Sequence, residues 1–227
     1  MAQEYEALLK QILEAAASYN NGGAAPTGCA PAQNQPCGLE PIPVGISNRH
    51  IHLSQADLDT LFGPGHELTR IKDLKQPGQF ACKETLTVVG PKGAIEKIRV
   101  LGPVRKATQV ELLLGDSFKV GVKPPIRMSG DLAGTPGVTL VGPKGTVVLS
   151  EGTMVAQRHI HMTAAEAAAY GVHDGQIVSI EFGGTRSGVL NNVAIRAGEG
   201  HALECHVDTE EANALAITSD TTFKLIK

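Results

Sequence analysis

Arg49-His50-Ile51-His52-Leu53-Ser54-Gln55-Ala56-Asp57 returns later in the chain as Arg158-His159-Ile160-His161-Met162-Thr163-Ala164-Ala165-Glu166. Side chains alternate along an extended strand, so the two histidines of each copy point to one face and the isoleucine to the other. Two imidazoles on one face can chelate one metal ion, and two such pairs suggest a duplicated scaffold with two metal centres. After each pair comes a helix start, Ser54 with Asp57 three residues on and Thr163 with Glu166. Each resembles a capping box, with a hydroxyl on the N3 amide and a carboxylate reaching back. The first uses Asp where Glu is usual. Both helices are expected to run about two turns and to stop near Gly63 and Gly171.

The rest of the chain reads as short strands joined by turns. Gly (26) and Pro (13) are plentiful and aromatic residues make up only 4%, which favours tight turns over long helices. Thr85 to Val89 ends in Gly90-Pro91-Lys92-Gly93, and Val138 to Val141 ends in Gly142-Pro143-Lys144-Gly145. Both tetrapeptides are turns, so return strands are expected around Ile95 and from Thr146 to Leu149. Further strands are expected over 42–46, 98–101, 109–114, 176–182, 189–195 and 202–207. The copies lie 109 residues apart, from His50 to His159, which suggests two related β domains.

Residues 3–19 stand apart. Tyr5, Leu8, Leu9, Ile12, Ala16 and Tyr19 recur at helical spacing between Glu4, Glu6, Lys10, Gln11 and Glu14, the pattern of a short amphipathic helix. Asn20 to Glu40 carries almost no charge and reads as a flexible linker. A helix on such a linker is expected to dock on a partner, or else to fold back on the core. The formal net charge of −3 gives no reason to expect nucleic acid or a membrane surface as a partner. No apolar run reaches the roughly 18 residues of a membrane span, and the start lacks the pattern of a secretory signal. The four cysteines, Cys29, Cys37, Cys82 and Cys205, form no CxxC, so a reducing cytoplasm is the expected setting.

Catalytic zinc sites take three protein ligands and leave a position open, so each histidine pair needs a third. Two strands offer one. In Leu203-Glu204-Cys205-His206-Val207-Asp208, the residues Glu204, His206 and Asp208 share a face; in Gln109 to Leu114, Gln109, Glu111 and Leu113 do. A solvated polar face is the other reading of both. Arg105 and Arg127, each beside a turn, are read either as binders of phosphate or carboxylate or as surface residues. Arg70, Lys72, Lys75 and Lys83 form a basic stretch that could hold a polyanion or be a solvated loop. His66, His173 and His201, beside Gly or Asp, read as surface histidines.

Five stretches together resemble the phosphate propanoyltransferases of bacterial microcompartments. They are Gly45 to Ser54, Gly102-Pro103-Val104-Arg105-Lys106-Ala107-Thr108-Gln109-Val110-Glu111, Arg127-Met128-Ser129-Gly130-Asp131, Arg158 to Thr163, and His206 to Ala214. The resemblance covers about Pro41 to Lys227. It implies a mainly β fold of two related β-barrel domains, 41–48 with 157–227 and 49–156, with an active site between them and short helices after the HxH strands. It implies two zinc ions, one on His50, His52 and Glu111 and the other on His159, His161 and His206, and a phosphate-binding Arg105. The implied substrates are CoA, inorganic phosphate and a short acyl phosphate. Residues 1–20 resemble the encapsulation peptide by which such proteins are packaged with shell or cargo proteins, in a microcompartment lumen within the cytoplasm; 21–40 is the linker.

Ser47, Phe118, Ser129 and Arg196 are the candidate CoA contacts, two small residues in motifs, an aromatic for adenine and a cation for phosphate. Self-association into a homo-oligomer through the exposed helix stays open. Direct attack of phosphate on the thioester is expected, because no serine or cysteine sits in a recognisable triad or elbow. The alternatives are a zinc-dependent hydrolase, since HxH strands also open barrels of alternating strands and long helices, and a non-enzymatic metal-binding shell adaptor.

Overall fold

The computed structural model describes residues 39–227. The expected N-terminal helix and nearly all of the linker lie outside these described residues. The described chain is mainly β, built on two curled half-barrel sheets. In chain order the strands are Val44–Ser47 (β1), His50–His52 (β2), Arg70–Asp73 (β3), Phe80–Val89 (β4), Ala94–Gly102 (β5), Gln109–Glu111 (β6), Ile126–Arg127 (β7), Thr139–Val141 (β8), Thr146–Val148 (β9), Thr153–Ala156 (β10), His159–Met162 (β11), Ile177–Phe182 (β12), Gly188–Ala197 (β13), Glu204–Asp208 (β14) and Phe223–Ile226 (β15). Four short helices, Gln55–Phe62 (α1), Asp116–Val120 (α2), Ala164–Tyr170 (α3) and Thr209–Leu215 (α4), complete the described elements. None is long and apolar enough to cross a membrane.

One sheet runs β1-β14-β11-β13-β12-β15 and the other β7-β10-β6-β2-β5-β4-β8-β9, with β3 on the edge of β4. Both histidine strands occupy the same place. Each is antiparallel to the strand carrying a candidate third ligand, β2 to β6 and β11 to β14, and parallel to a long strand on its other side, β2 to β5 and β11 to β13.

The strand ahead of each motif crosses over. β1 leads into β2 but pairs in parallel with β14 of the other sheet, and β10 leads into β11 but pairs in parallel with β6. The halves therefore exchange their leading strands, and the chain passes between sheets twice, at Asn48-Arg49 and at Gln157-Arg158.

The alternation expected of each motif holds. Ile51 and Ile160 are fully buried, one in each of two hydrophobic cores. Ile51 packs in the core with Leu53, Leu58, Leu86 and Val100, and Ile160 in the core with Met162, Phe182, Ile195 and Phe223. The histidines face the other way. The arginine of each motif pins its crossover. Arg49 Nε lies 2.7 Å from Asp116 at the start of α2, and Arg158 Nε lies 2.7 Å from Glu211 in the first turn of α4.

The helix stops fall as expected, at Gly63 and Gly171. The starts differ. Thr163 and Glu166 make a full capping box, with Thr163 N donating to Glu166 Oε2 at 2.7 Å. Asp57 is one methylene shorter than Glu. Ser54 N donates instead to Thr108 Oγ1 at 2.9 Å, and that hydroxyl donates to Asp57, so Thr108 spans the gap.

Both Gly-Pro-Lys-Gly turns close hairpins, with Gly90 N on Gly93 O and Gly142 N on Gly145 O, each at 2.9 Å. Their tips dock on helix ends, Lys92 N on Val120 O and Lys144 N on Leu61 O. A Cβ at Gly90 or Gly142 would lie 2.4 or 2.6 Å from those carbonyls, so glycine permits the approach.

Some elements depart from expectation. The segments around Ile95 and over 98–101 are one strand, β5. Of the basic stretch, Arg70 and Lys72 lie on an edge strand, Lys75 in the turn after it and Lys83 in β4; Arg70 pairs with Asp73 at 3.2 Å and lies over the Phe80 ring. Strands β7, β10 and β15 and helices α2 and α4 were not anticipated. Asp208, read as part of a polar strand face, is the last residue of β14 and also the N-cap of α4, in a capping box with Glu211.

Thr108→Val should therefore leave the Ser54 amide unpaired and destabilise the fold by about 1–3 kcal/mol. Thr163→Ala, which removes one cap acceptor, should cost about 1 kcal/mol. Denaturant titration of the two variants measures both.

Candidate metal centres and anion cavity

Strand register places the third candidate directly opposite the first histidine in each half. His50 pairs with Glu111 across β2 and β6, and His159 with His206 across β11 and β14. In each triad, one candidate ligand atom per residue lies within 4.8 Å of the others. His50 Nε2 is 3.3 Å from Glu111 Oε2. His159 Nε2 and His161 Nε2 are 3.1 Å apart, and the His206 ring packs about both, with centroids at 5.0 and 5.1 Å.

The hydrogen bonds around the rings leave lone pairs aimed inward. His50 Nδ1 lies 2.8 Å from the Asn48 carbonyl and His159 Nδ1 lies 2.7 Å from that of Gln157. A carbonyl only accepts, so each Nδ1 carries the proton and each Nε2 is free to ligate. His52 Nδ1 is buried with no hydrogen-bond partner. An orphaned polar atom there is costly for a protein alone and suits a ligand atom awaiting a metal.

Electrostatics favour the neutral form of His52, His159 and His161 and the ionised form of Glu111. Burial, reinforced by His50 and Arg105, pushes His52 down to about 3. Burial and then His206 push His159 down to about 4. Burial, His159 and His206 hold His161 down to about 2. Burial alone would raise Glu111, but the charge and hydrogen bond of His50, with His52 and Arg105, hold it well below the usual carboxylate range. His50 moves the other way: Glu111 outweighs burial and raises it. Neutral imidazoles and an ionised carboxylate are the forms that bind zinc, so both triads fit a divalent metal.

Both triads line one cavity of about 530 Å3. Arg105, Arg196, Ser47 and Ser129 line it as well. Arg105 is held by its backbone N on Leu53 O at 2.8 Å and by Nη1 donating to Ser129 Oγ at 2.9 Å. Arg196, on β13, pairs in register with His161. Phe118 is 81% exposed on α2 and is not among the lining residues. Arg127 is exposed beside Asp131, at 3.5 Å.

Several cavity residues escaped the sequence reading. His201, read as a surface residue, lines the cavity with its Nδ1 3.0 Å from His161 Nδ1. His66, also read as surface, is engaged with the buried Glu84 at 3.0 Å; His173 is exposed as expected. Arg99 brings further positive charge to the cavity, beside Lys75 of the basic stretch read as a possible polyanion site. Arg99 had a local signal, a cation alternating with the buried Ile98 and Val100 of a strand. His201 had none, because the fold of the β13–β14 connection alone carries it there. Two metal-type triads facing a cavity lined with guanidinium groups can bind an anion and polarise a carbonyl beside it.

Comparison with known proteins gives a consistent picture. Residues 43–218 match the family model for phosphate propanoyltransferase. A phosphate propanoyltransferase of Rhodopseudomonas palustris (strain BisB18) is 53% identical over 192 residues, 84% of this chain and 85% of the relative. One from Thermotoga maritima is 56% identical over 179 residues, 78% of this chain and 85% of the relative. One from Salmonella typhimurium is 50% identical over 175 residues, 77% and 83% of the two chains. The match spans both triads and the arginines between them, and the chain belongs to the phosphate propanoyltransferase family of acyltransferases.

Proposed function

We propose that the protein moves a short acyl group, propanoyl or a close relative, reversibly between CoA and phosphate: acyl-CoA and phosphate give acyl phosphate and free CoA. The observation that carries the reading is the shared cavity, with Arg105 and Arg196 facing the two triads. Zinc is the proposed metal, one ion on His50, His52 and Glu111 and a second on His159, His161 and His206. When bound, such ions supply polarisation of a carbonyl or phosphate oxygen and stabilisation of a leaving thiolate.

The chain's own residues account for the rest. Arg105 holds phosphate through its guanidinium fork and offsets its charge. Its anchors on Leu53 and Ser129 fix the fork, so orientation is set before substrate enters. A phosphate oxygen attacks the thioester carbon directly. The C–O bond forms, the C–S bond breaks, and the thiolate leaves with the sulfur's electron pair. The two described cysteines support attack without an acyl-enzyme. Both are buried in the hydrophobic cores, and burial pushes the Cys82 thiol up to about 11 and Cys205 higher still. Ser47, Ser129 and Arg196 are the proposed CoA contacts inside the cavity, and Phe118 is the proposed surface contact for adenine.

Residues 3–19 are proposed to bind a shell or cargo protein, placing the enzyme in a microcompartment lumen. Their helical apolar spacing and the uncharged linker behind them support this.

Purified protein given propanoyl-CoA should release thiol only when phosphate is present, and His50→Ala or His159→Ala should lose metal and turnover together. Thiol release without phosphate would show a hydrolase, and wild-type turnover in a metal-free double variant would remove the metals from the mechanism. Arg105→Ala should raise the KM for phosphate about ten- to hundredfold while metal content by mass spectrometry stays at the wild-type value. Deleting residues 1–20 should preserve turnover in solution and abolish co-purification with shells; an enzyme that still enters them would refute the packaging role.

A further inference from the structure

Resting on the two-metal reading above, we propose that Gln109 and Glu204 are a matched pair of positioning residues, each fixing the third ligand of its own half. Strand register makes them equivalent. Gln109 stands opposite His52 on β6, and Glu204 opposite His161 on β14. Each is two residues before the third ligand on the same strand face, and each is bonded to it. Gln109 Nε2 donates to Glu111 Oε1 at 2.5 Å, and Glu204 Oε2 accepts from His206 Nε2 at 2.6 Å.

The chemistry is exchanged between the halves. In one, a carboxylate is the ligand and an amide its support; in the other, an imidazole is the ligand and a carboxylate its support. Each half therefore holds two motif histidines and one carboxylate, placed at different distances from the metal position. A carboxylate on Nε2 of His206 fixes the tautomer and leaves Nδ1 as the lone pair.

Both supports are themselves held in place. Gln109 is 1% exposed, and its Oε1 accepts from Gly130 N at 2.8 Å. Its Nε2 also donates to Ser129 Oγ at 2.8 Å, the hydroxyl that receives Arg105, so Glu111 and the anion-binding arginine share one support. Glu204 Oε2 also accepts from Gln76 Nε2 at 3.3 Å. Gln76 comes from the β3–β4 connection, is 4% exposed, and clasps both backbone groups of Ala202. On its other side is Gly45, where a Cβ would sit 2.8 Å from Glu204 Oε1. Glycine at 45 thus leaves the space that the Glu204 carboxylate fills.

The test follows zinc from the full-length, zinc-loaded protein into a chelator. Wild type should hold two ions per chain by mass spectrometry, and His52→Ala and His161→Ala identify which release phase belongs to each half. Glu204→Gln should speed release from the His159 half about ten- to hundredfold and leave the other phase unchanged. Gln109→Met should do the reverse, and should also raise the KM for phosphate; if it does not fold, Gln109→Glu reads the same phase. Release phases that are unmoved, or that accelerate together in either variant, would overturn the proposal. A wild type without zinc would overturn the two-metal reading and the proposal with it.

Discussion

The site depends on two backbone carbonyls. Asn48 and Gln157 lie where the chain leaves one sheet for the other, and each receives the Nδ1–H of the histidine two residues on. The crossover thus fixes strand topology and ring tautomer in one step. Arg49 and Arg158 clamp the same points to α2 and α4. Were a crossover to shift, the strand after it would lose its register with the third ligand. This explains why the repeat is Arg-His-Ile-His and not only His-x-His: the arginine holds the turn, the isoleucine the core, and the histidines the cavity.

Like folds need not make like sites. The two halves share sheet order, motif strand and helix stop, yet differ at the third candidate ligand and at the ring nitrogens left free. His52 has an orphaned Nδ1, while His161 has His201 against its Nδ1 and His159 against its Nε2. The arginines are also unevenly placed. Arg105 enters from a loop and feels Glu111, whereas Arg196 enters from β13 beside His161. One cavity between unlike triads can present different charge to the two ends of a substrate.

Much of this was legible in the sequence because alternation is local. The motif isoleucines, the opposed Glu111 and His206, the Gly-Pro-Lys-Gly hairpins and the stops at Gly63 and Gly171 all follow from periods of two and from turn chemistry. What escaped was set by distance along the chain. Thr108 completing the α1 cap, Gln76 reaching Glu204 and His201 meeting His161 join residues with no shared local pattern. Strand β10 was missed because it is buried along nearly its whole length, so its residues show no alternation. The capping role of Asp208 went unread because a cap and a polar strand face use the same residue types. The resemblance to a known family supplied the choice among candidate ligands that spacing alone left open.

The exchange of leading strands also bears on how the chain reaches this state. Val44 is synthesised long before its partner Cys205, and β6 must wait for β10 before its second edge is filled. Neither half can finish its sheet from its own residues. Such long sequence separations raise the entropic cost of the folding transition state. They also leave strand edges unpaired in the nascent chain, the exposure that chaperones cover. Each triad lies on two strands of its own half, but the cavity that both line comes into being only when the halves close on each other.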